Sequence, residues 1–435
     1  MTIISGAVGV GASGYGTTTS GYPASVHDGI SFNAASGRVI VKAPGASPTV
    51  GTLTSLFTFT GGNQSMYLGA GGLLVASATN TPRIEYAAGG AVLGLLMEAS
   101  RTNLCLQSAD FGTTWVPSSA TVSVNQTASP DGTTTADKLV STAATAAMFV
   151  GQAFTLSATT TYTLSVFSKR IAGEAQYIAF RPDVDTAAIV SFDLLNGTVN
   201  TTQAPWTNSK ITDYGNGWYR CSATYTTVGT AYTFRISMDQ TGNAGSFTGD
   251  GTKGVFLWGA QLELGAFASS YIPTTTVSVA RTADSCIRTL ASEFSATAGT
   301  VVVAGRASGG QDAATAQVPW SIDDNTANNR FTLTRTAASD TCRFTVVTAA
   351  VSQAALDFTF TNSTNYKEAV AWAVNDFAAS MNGAAVLTDT LGTLPTVTQL
   401  GLGSLGTGLQ ANGHIRTFDY YPSRLDNATL INRST

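Results

Sequence analysis

Charge is what this chain has least of. Of its 435 residues only 11% are Asp, Glu, Lys or Arg, far below the roughly 25% usual in soluble proteins. No basic run exceeds Lys169-Arg170 and the net charge is −4. The clustered cations that neutralise phosphates are missing, which argues against nucleic acid as a partner. Only two histidines occur, His27 and His414, and no G-x-S-x-G elbow accompanies them, so a Ser-His-Asp triad has little to draw on. Neither histidine lies near a cysteine at zinc-ligand spacing. The four cysteines (Cys105, Cys221, Cys286, Cys342) stand far apart without a CxxC and read as buried free thiols rather than a disulfide framework. No apolar run approaches the ~20 residues of a membrane-crossing helix. Met1 to Ser5 lacks the basic and apolar regions of a secretory signal. The expectation is a soluble protein made in a cytosol, with no cofactor, no membrane insertion and no enzymatic activity.

What is present is alternation. Hydrophobic residues make up 43% of the chain, enough for real cores, while Thr and Ser take the outward strand positions. Tyr162, Leu164 and Val166 fall on one face of a period-two strand; Tyr232, Phe234, Ile236 and Met238 on another; Phe256, Trp258, Ala260, Leu262 and Leu264 on a third. Asn196-Gly197, Asn216-Gly217 and Asp250-Gly251 are tight-hairpin dipeptides. No long amphipathic helix is legible. The fold class expected is all-β, with tandem β-sandwich or jelly-roll domains behind an extended N-terminal arm. The divisions read as an arm over 1–50, a short-stranded connector over 51–104, a jelly roll over 105–275, a linker over 276–290 and a second sandwich over 291–435. The arm contains a G-x-G-x-x-G, Gly9 to Gly14, but Tyr15 to Pro23 is Gly- and Thr-rich and cannot open a phosphate-binding helix, so chance explains it better.

Several ordered words go further. Glu98 to Leu104, Asp110-Phe111, Trp115 and Ser129 to Leu139 come first. Tyr162 to Lys169, Gly215 to Cys221, Trp258 to Glu263 and Tyr271 to Thr274 follow. Over about residues 80–290 this set resembles the carbohydrate-binding-module-like jelly roll of bacteriophage and prophage virion proteins. The words Asn328 to Phe331, Trp372, Ser380 to Gly383, Gly413 to Arg416 and Tyr420 to Leu425 resemble a concanavalin A/laminin-G-like domain. The resemblance implies a virion part, a tail or head fibre or a decoration protein. It would be assembled in the host cytoplasm, displayed on the virion surface and docked to other virion proteins through the arm. By the same likeness it would be a homotrimer that touches host-surface polysaccharide.

Sugar binding needs an exposed ring for stacking and planar polar groups for hydroxyls. Trp206, in a loop-like stretch after Pro205, is the platform candidate; Tyr177, Arg181 and Asp183 are candidates for the polar fork. Trp218 and Trp258, in alternating strands, read as core. A depolymerase would need two opposed carboxylates in a cleft, with Glu174, Asp183, Asp185, Asp193, Asp239 and Glu263 as candidates that the sequence cannot pair. Asp323-Asp324-Asn325 is a weak calcium candidate, more simply read as an Asx turn. The competing expectation is a purely structural decoration subunit, which tolerates burial of Trp206 at a subunit contact.

Overall fold

The computed structural model describes residues 27–185, 187–242, 245–307, 316–335, 341–359, 365–406 and 408–435. Apart from the short helices Leu53–Leu56 and Asn427–Ser434, the regular elements among these are strands. The chain is all-β, organised around two sandwiches.

The middle of the chain forms a pair of six-stranded antiparallel sheets. One runs Val116–Ser118, Met148–Thr155, Ala231–Asp239, Tyr177–Pro182, Val190–Asp193, Thr198–Thr202; the other runs Ala120–Thr127, Ala136–Ser141, Gly254–Leu264, Thr161–Lys169, Trp218–Thr226, Trp206–Asp213. Alternation dictates the core: Tyr162, Leu164, Val166, Tyr232, Phe234, Ile236 and Met238 all point between the sheets, as their spacing requires. The third expected face does not hold together. Ser165 pairs with Gln261 but Phe167 pairs with Trp258, so Val166 alone spans Gly259 and Ala260. That bulge flips the side chains beyond it. Val255, Leu257, Ala260 and Leu262 point inward, whereas Phe256 and Trp258 point outward and Leu264 is 56% exposed.

Outward does not mean bare. On that side, Phe167, Trp218, Trp258 and Tyr271 pack with Leu68 and Leu74 from the hairpin Met66–Leu68/Leu74–Ala76. Trp218 and Trp258 are core residues as expected, but of this second layer. Their ring N–H groups donate to Ala128 O and Thr135 Oγ1, each at 3.1 Å.

The second sandwich redraws the domain boundaries expected at 50 and 291. Gly29–Asn33 pairs with Gly413–Tyr421, placing Ile30 opposite Tyr420, and Arg38–Lys42 and Thr49–Thr52 extend the sheet from there. Val92–Met97 pairs with Gly413–Tyr421 too, and Thr58–Thr60 pairs with Ser285–Thr289 in the facing sheet. Phe32, Val39, Phe57 and Phe59 thus share one core with Trp320, Phe331, Phe344, Trp372 and Phe418. The jelly roll is inserted into this sandwich rather than strung before it. Short apolar words such as Val39-Ile40-Val41 bury little by themselves; their partners lie at the other end of the chain, where local composition cannot show them. Residues 1–26, the rest of the expected docking arm, lie outside the described residues.

The chain crosses between the sandwiches at a buried ionic knot. Arg83 Nη1 and Arg281 Nη1 each donate to Glu98 Oε2 at 2.8 Å, and Arg83 also pairs with Asp284. Ser270 donates to Glu98 through its backbone N–H at 2.8 Å and its hydroxyl at 2.7 Å. Burial alone would raise the Glu98 pKa; the guanidiniums of Arg281 and Arg83 outweigh it and hold the carboxyl well below its usual range.

Candidate functional site

The four residues proposed for sugar binding do not converge. Trp206 is 2% exposed. It starts an edge strand, and its ring turns into the core against Tyr225, Phe234 and Phe180 at centroid distances of 5.0, 5.9 and 6.1 Å. Its indole N–H donates to Ala188 O at 3.0 Å. A ring enclosed on all sides cannot stack on a sugar, so the platform assignment is corrected to core. Asp183 lies just past its strand, where Oδ1 accepts from Thr233 N at 2.7 Å and its own N–H donates to Thr233 O at 3.0 Å. That carboxylate ties two strand ends together rather than facing a ligand.

Tyr177 and Arg181 do share a surface. Along Tyr177–Pro182 the residues Ile178 and Phe180 enter the core, leaving Tyr177, Ala179 and Arg181 on the outward face. Register fills in the rest: Arg181 is opposite Arg235, Ala179 opposite Ser237 on one side and Ser191 on the other, and Tyr177 opposite Asp239 and Asp193. Beyond Ser237 and Arg235 stand Phe149 and Gly151. The floor residues are small and sunken, with Ala179 and Ser191 fully buried and Ser237 2% exposed. Phe149, Arg235, Arg181 and Tyr177 are half-buried and stand around them. The Arg235 guanidinium lies over the Phe149 ring, 4.6 Å from its centroid, a contact that fixes its plane. At the other side Gly242 O accepts from Ser191 Oγ at 2.8 Å and from Asn200 Nδ2 at 2.9 Å. Gly242 adopts φ +81°, and a Cβ there would meet Asn200 Nδ2 at 2.6 Å and Tyr177 Cε1 at 3.3 Å. Its turn thus closes the trough against the tyrosine ring.

The sequence reading missed Arg235, Ser237 and Phe149, though the signal existed. Assigning Tyr232, Phe234, Ile236 and Met238 to the core leaves Thr233, Arg235, Ser237 and Asp239 facing out. Two floor and wall atoms are left without hydrogen-bond partners among the described residues: Ser237 Oγ and Arg235 Nε. Burial and then the neighbouring Arg235 charge lower the Arg181 pKa. The opposite sheet offers no comparable face, since the hairpin and Tyr271 cover the centre of it.

Other candidate chemistry is already engaged. Asp323 Oδ1 accepts from Asn325 N at 2.7 Å and Gln399 Nε2 at 2.8 Å, and Asp324 accepts from Thr326 N and Asn329 Nδ2, both at 2.9 Å. This is the hydrogen bonding of an Asx turn, and among the described residues no group of three or more His, Cys, Asp or Glu side chains is arranged to hold a metal. Glu263 is buried and accepts from Ser269 Oγ at 2.6 Å, Glu174 pairs with Lys138 at 2.8 Å, and Asp239 accepts from Thr241 N at 2.9 Å. Ser31 Oγ and His27 Nε2 both lean on Asp419, which puts the carboxylate between hydroxyl and imidazole, the wrong order for a proton relay. The four cysteines are free and buried. A cavity of about 410 Å³ lined by Gln107, Asp110, Thr113, Asn125, Thr135 and Thr274 offers hydroxyls, amides and one carboxylate but no aromatic ring.

No protein family and no curated protein matches the chain. Among solved structures it is similar to the carbohydrate-binding module CBM40 of the Ruminococcus gnavus IT-sialidase bound to α2,3-sialyllactose. That likeness has 15% identity and a TM-score of 0.27, over 32% of this chain and 84% of that one. The CBM22 tandem domain of Paenibacillus barcinonensis Xyn10C is similar at 9% identity and a TM-score of 0.25, over 75% of this chain and 97% of that one. Likenesses this slight say nothing of a ligand, which has to be read from the face itself.

Proposed function

We propose that this chain is a noncovalent glycan adhesin of a bacteriophage particle, and that it holds host-surface polysaccharide on the outward face of the jelly-roll sheet around Tyr177, Arg181 and Arg235. The observation that carries the binding role is that trough, a floor of small residues between a tyrosine ring and a pair of guanidiniums, with Ser237 Oγ buried and unpartnered among the described residues. Sugars are recognised by such combinations of an apolar ring face with a few fixed polar groups. The virion setting is supported by the ordered words from Glu98 to Thr274 and by a surface poor in charge. On this reading the chain carries out no catalysis, docks to other virion proteins through residues 1–26, and gains avidity as a homotrimer, where each contact is individually weak.

A structural decoration subunit without a sugar ligand is the second reading, favoured by the loss of Trp206 as a sugar platform, since its ring is enclosed in the jelly-roll core. The two separate in a glycan array probed with the purified chain at high valency, beside Tyr177→Ala. The adhesin reading expects binding to host surface polysaccharide that the variant loses; no binding by the unaltered chain would leave the structural reading standing.

A further inference from the structure

Hydrophobic residues scattered singly over a surface are ordinary, but several of them on one spot are not. At one end of the second sandwich Val351, Val374 and Leu391 are 61%, 58% and 75% exposed. Hydrogen bonds knit their three segments together. Asn375 N donates to Gly392 O and Gly392 N to Asn375 Oδ1, both at 3.0 Å; Thr393 N donates to Gln353 Oε1 at 3.0 Å and Thr348 Oγ1 to Thr393 O at 3.3 Å. Residues 348–353, 373–375 and 391–394 contain no Asp, Glu, Lys or Arg. At the margin Asp376 pairs with Arg424 at 2.8 Å and Asp389 accepts from Leu391 N at 3.1 Å.

The hairpin within this tip adds a second observation. Thr348 is opposite Val351, so Ala349 and Ala350 form a two-residue turn, at φ +49° and +66°. The usual occupants of such a turn are Asn and Gly, which take that backbone with less strain. Here the chain accepts the strain and keeps two exposed methyl groups beside Val351.

The place of the tip in the fold points to what covers it. Ala298 is opposite Ala373 at this end. At the far end of the same strands Arg306 is opposite His414 and His414 opposite Leu96, where the chain crosses to the jelly roll. Ile30 is opposite Tyr420, and Tyr420 opposite Val301, so the chain enters its sheet at the tip end, through Gly29.

We infer that copies of this chain meet at this tip, through Val351, Val374, Leu391 and the Ala349-Ala350 turn. This rests on the homotrimer reading above and names its contact surface. Around a symmetry axis the same residues of each copy come together, so a charge there faces its own image, whereas an uncharged apolar patch matches itself. Copies docked side by side through residues 1–26 bring these ends together. The jelly rolls leave from the opposite ends, free to engage one polysaccharide at several points.

Sedimentation equilibrium of the full chain over a range of concentrations tests this. The unaltered chain should reach the mass of a trimer. Val374→Asp/Leu391→Asp sets like charges against each other and should weaken assembly at least about tenfold, with a cooperative thermal melt showing the variant to be folded. Ala349→Asn/Ala350→Gly relieves the turn and should also weaken assembly, a loss that unfolding cannot explain. Val228→Asp, on an exposed loop of the jelly roll, should assemble as the unaltered chain does. Undiminished assembly of the folded Val374→Asp/Leu391→Asp variant would overturn the tip contact and leave the homotrimer standing. An unaltered chain that stays monomeric at every concentration would remove the homotrimer reading along with it.

Discussion

Among single residues, Glu368 and Trp206 carry the clearest consequences. Glu368 is fully buried in the second sandwich, with Oε2 accepting from Trp320 Nε1 at 3.4 Å and Oε1 unpartnered among the described residues. Burial pushes its pKa up from 4.5 to about 8, against a smaller lowering by the Trp320 hydrogen bond. The folded state therefore holds a proton that the unfolded chain releases. This contribution is fully present below the unfolded pKa and is lost as pH rises through about 8. Thermal melts across that range should show a falling Tm that Glu368→Gln flattens; an equally steep fall in the variant would contradict the assignment. Trp206→Ala should cost about 3–5 kcal/mol in urea unfolding, the signature of a core ring. A normal unfolding midpoint would mean that the ring is not packed as described. Trp206 looks free in the sequence because it lies outside any alternating run. Nothing local reveals that the indole fills the space between Tyr225 and Phe234.

At the scale of elements, most of the jelly-roll strands were legible because a half-buried strand writes its inward face every second residue. The Gly254–Leu264 strand was not, because one extra residue at Gly259 reverses the count. Gly259 has φ +63°, and a Cβ on it would meet Phe167 Cδ2 at 2.9 Å. Gly259→Val should thus destabilise the jelly roll by about 1–3 kcal/mol in chemical unfolding. A neutral outcome would mean that the bulge can relax into regular pairing. The same counting explains the site. The apolar face of Ala231–Asp239 stands out in the sequence, while its polar face, with Arg235 and Ser237, does not. Alternation defines both faces at once, but only the apolar one announces its partner.

For the whole molecule the informative fact is insertion. A sandwich completed by Gly29–Asn33, Arg38–Lys42 and Thr58–Thr60 cannot be recovered from the residues after 284 alone. A fragment spanning 285–435 lacks Phe32, Val39, Phe57 and Phe59 from its core and should show no cooperative melt; adding a fragment spanning 27–103 should restore one. Independent cooperative folding of 285–435 would refute the shared core. The sequence could not show this closure, because pairing between Ile30 and Tyr420 leaves no local trace at either end. It did show the words that meet at the crossing, since Arg83, Glu98, Ser270, Arg281 and Asp284 all fall within or beside the resembling segments. With the centre of the opposite sheet face covered by the hairpin, the trough around Tyr177 and Arg235 is the surface left to hold a glycan. The direct measurement is surface plasmon resonance of the chain on immobilised host-surface polysaccharide, comparing Tyr177→Ala/Arg235→Gln with the core control Trp206→Phe. Binding should disappear in the double variant and persist in the control. Undiminished binding by a folded double variant would contradict the trough assignment.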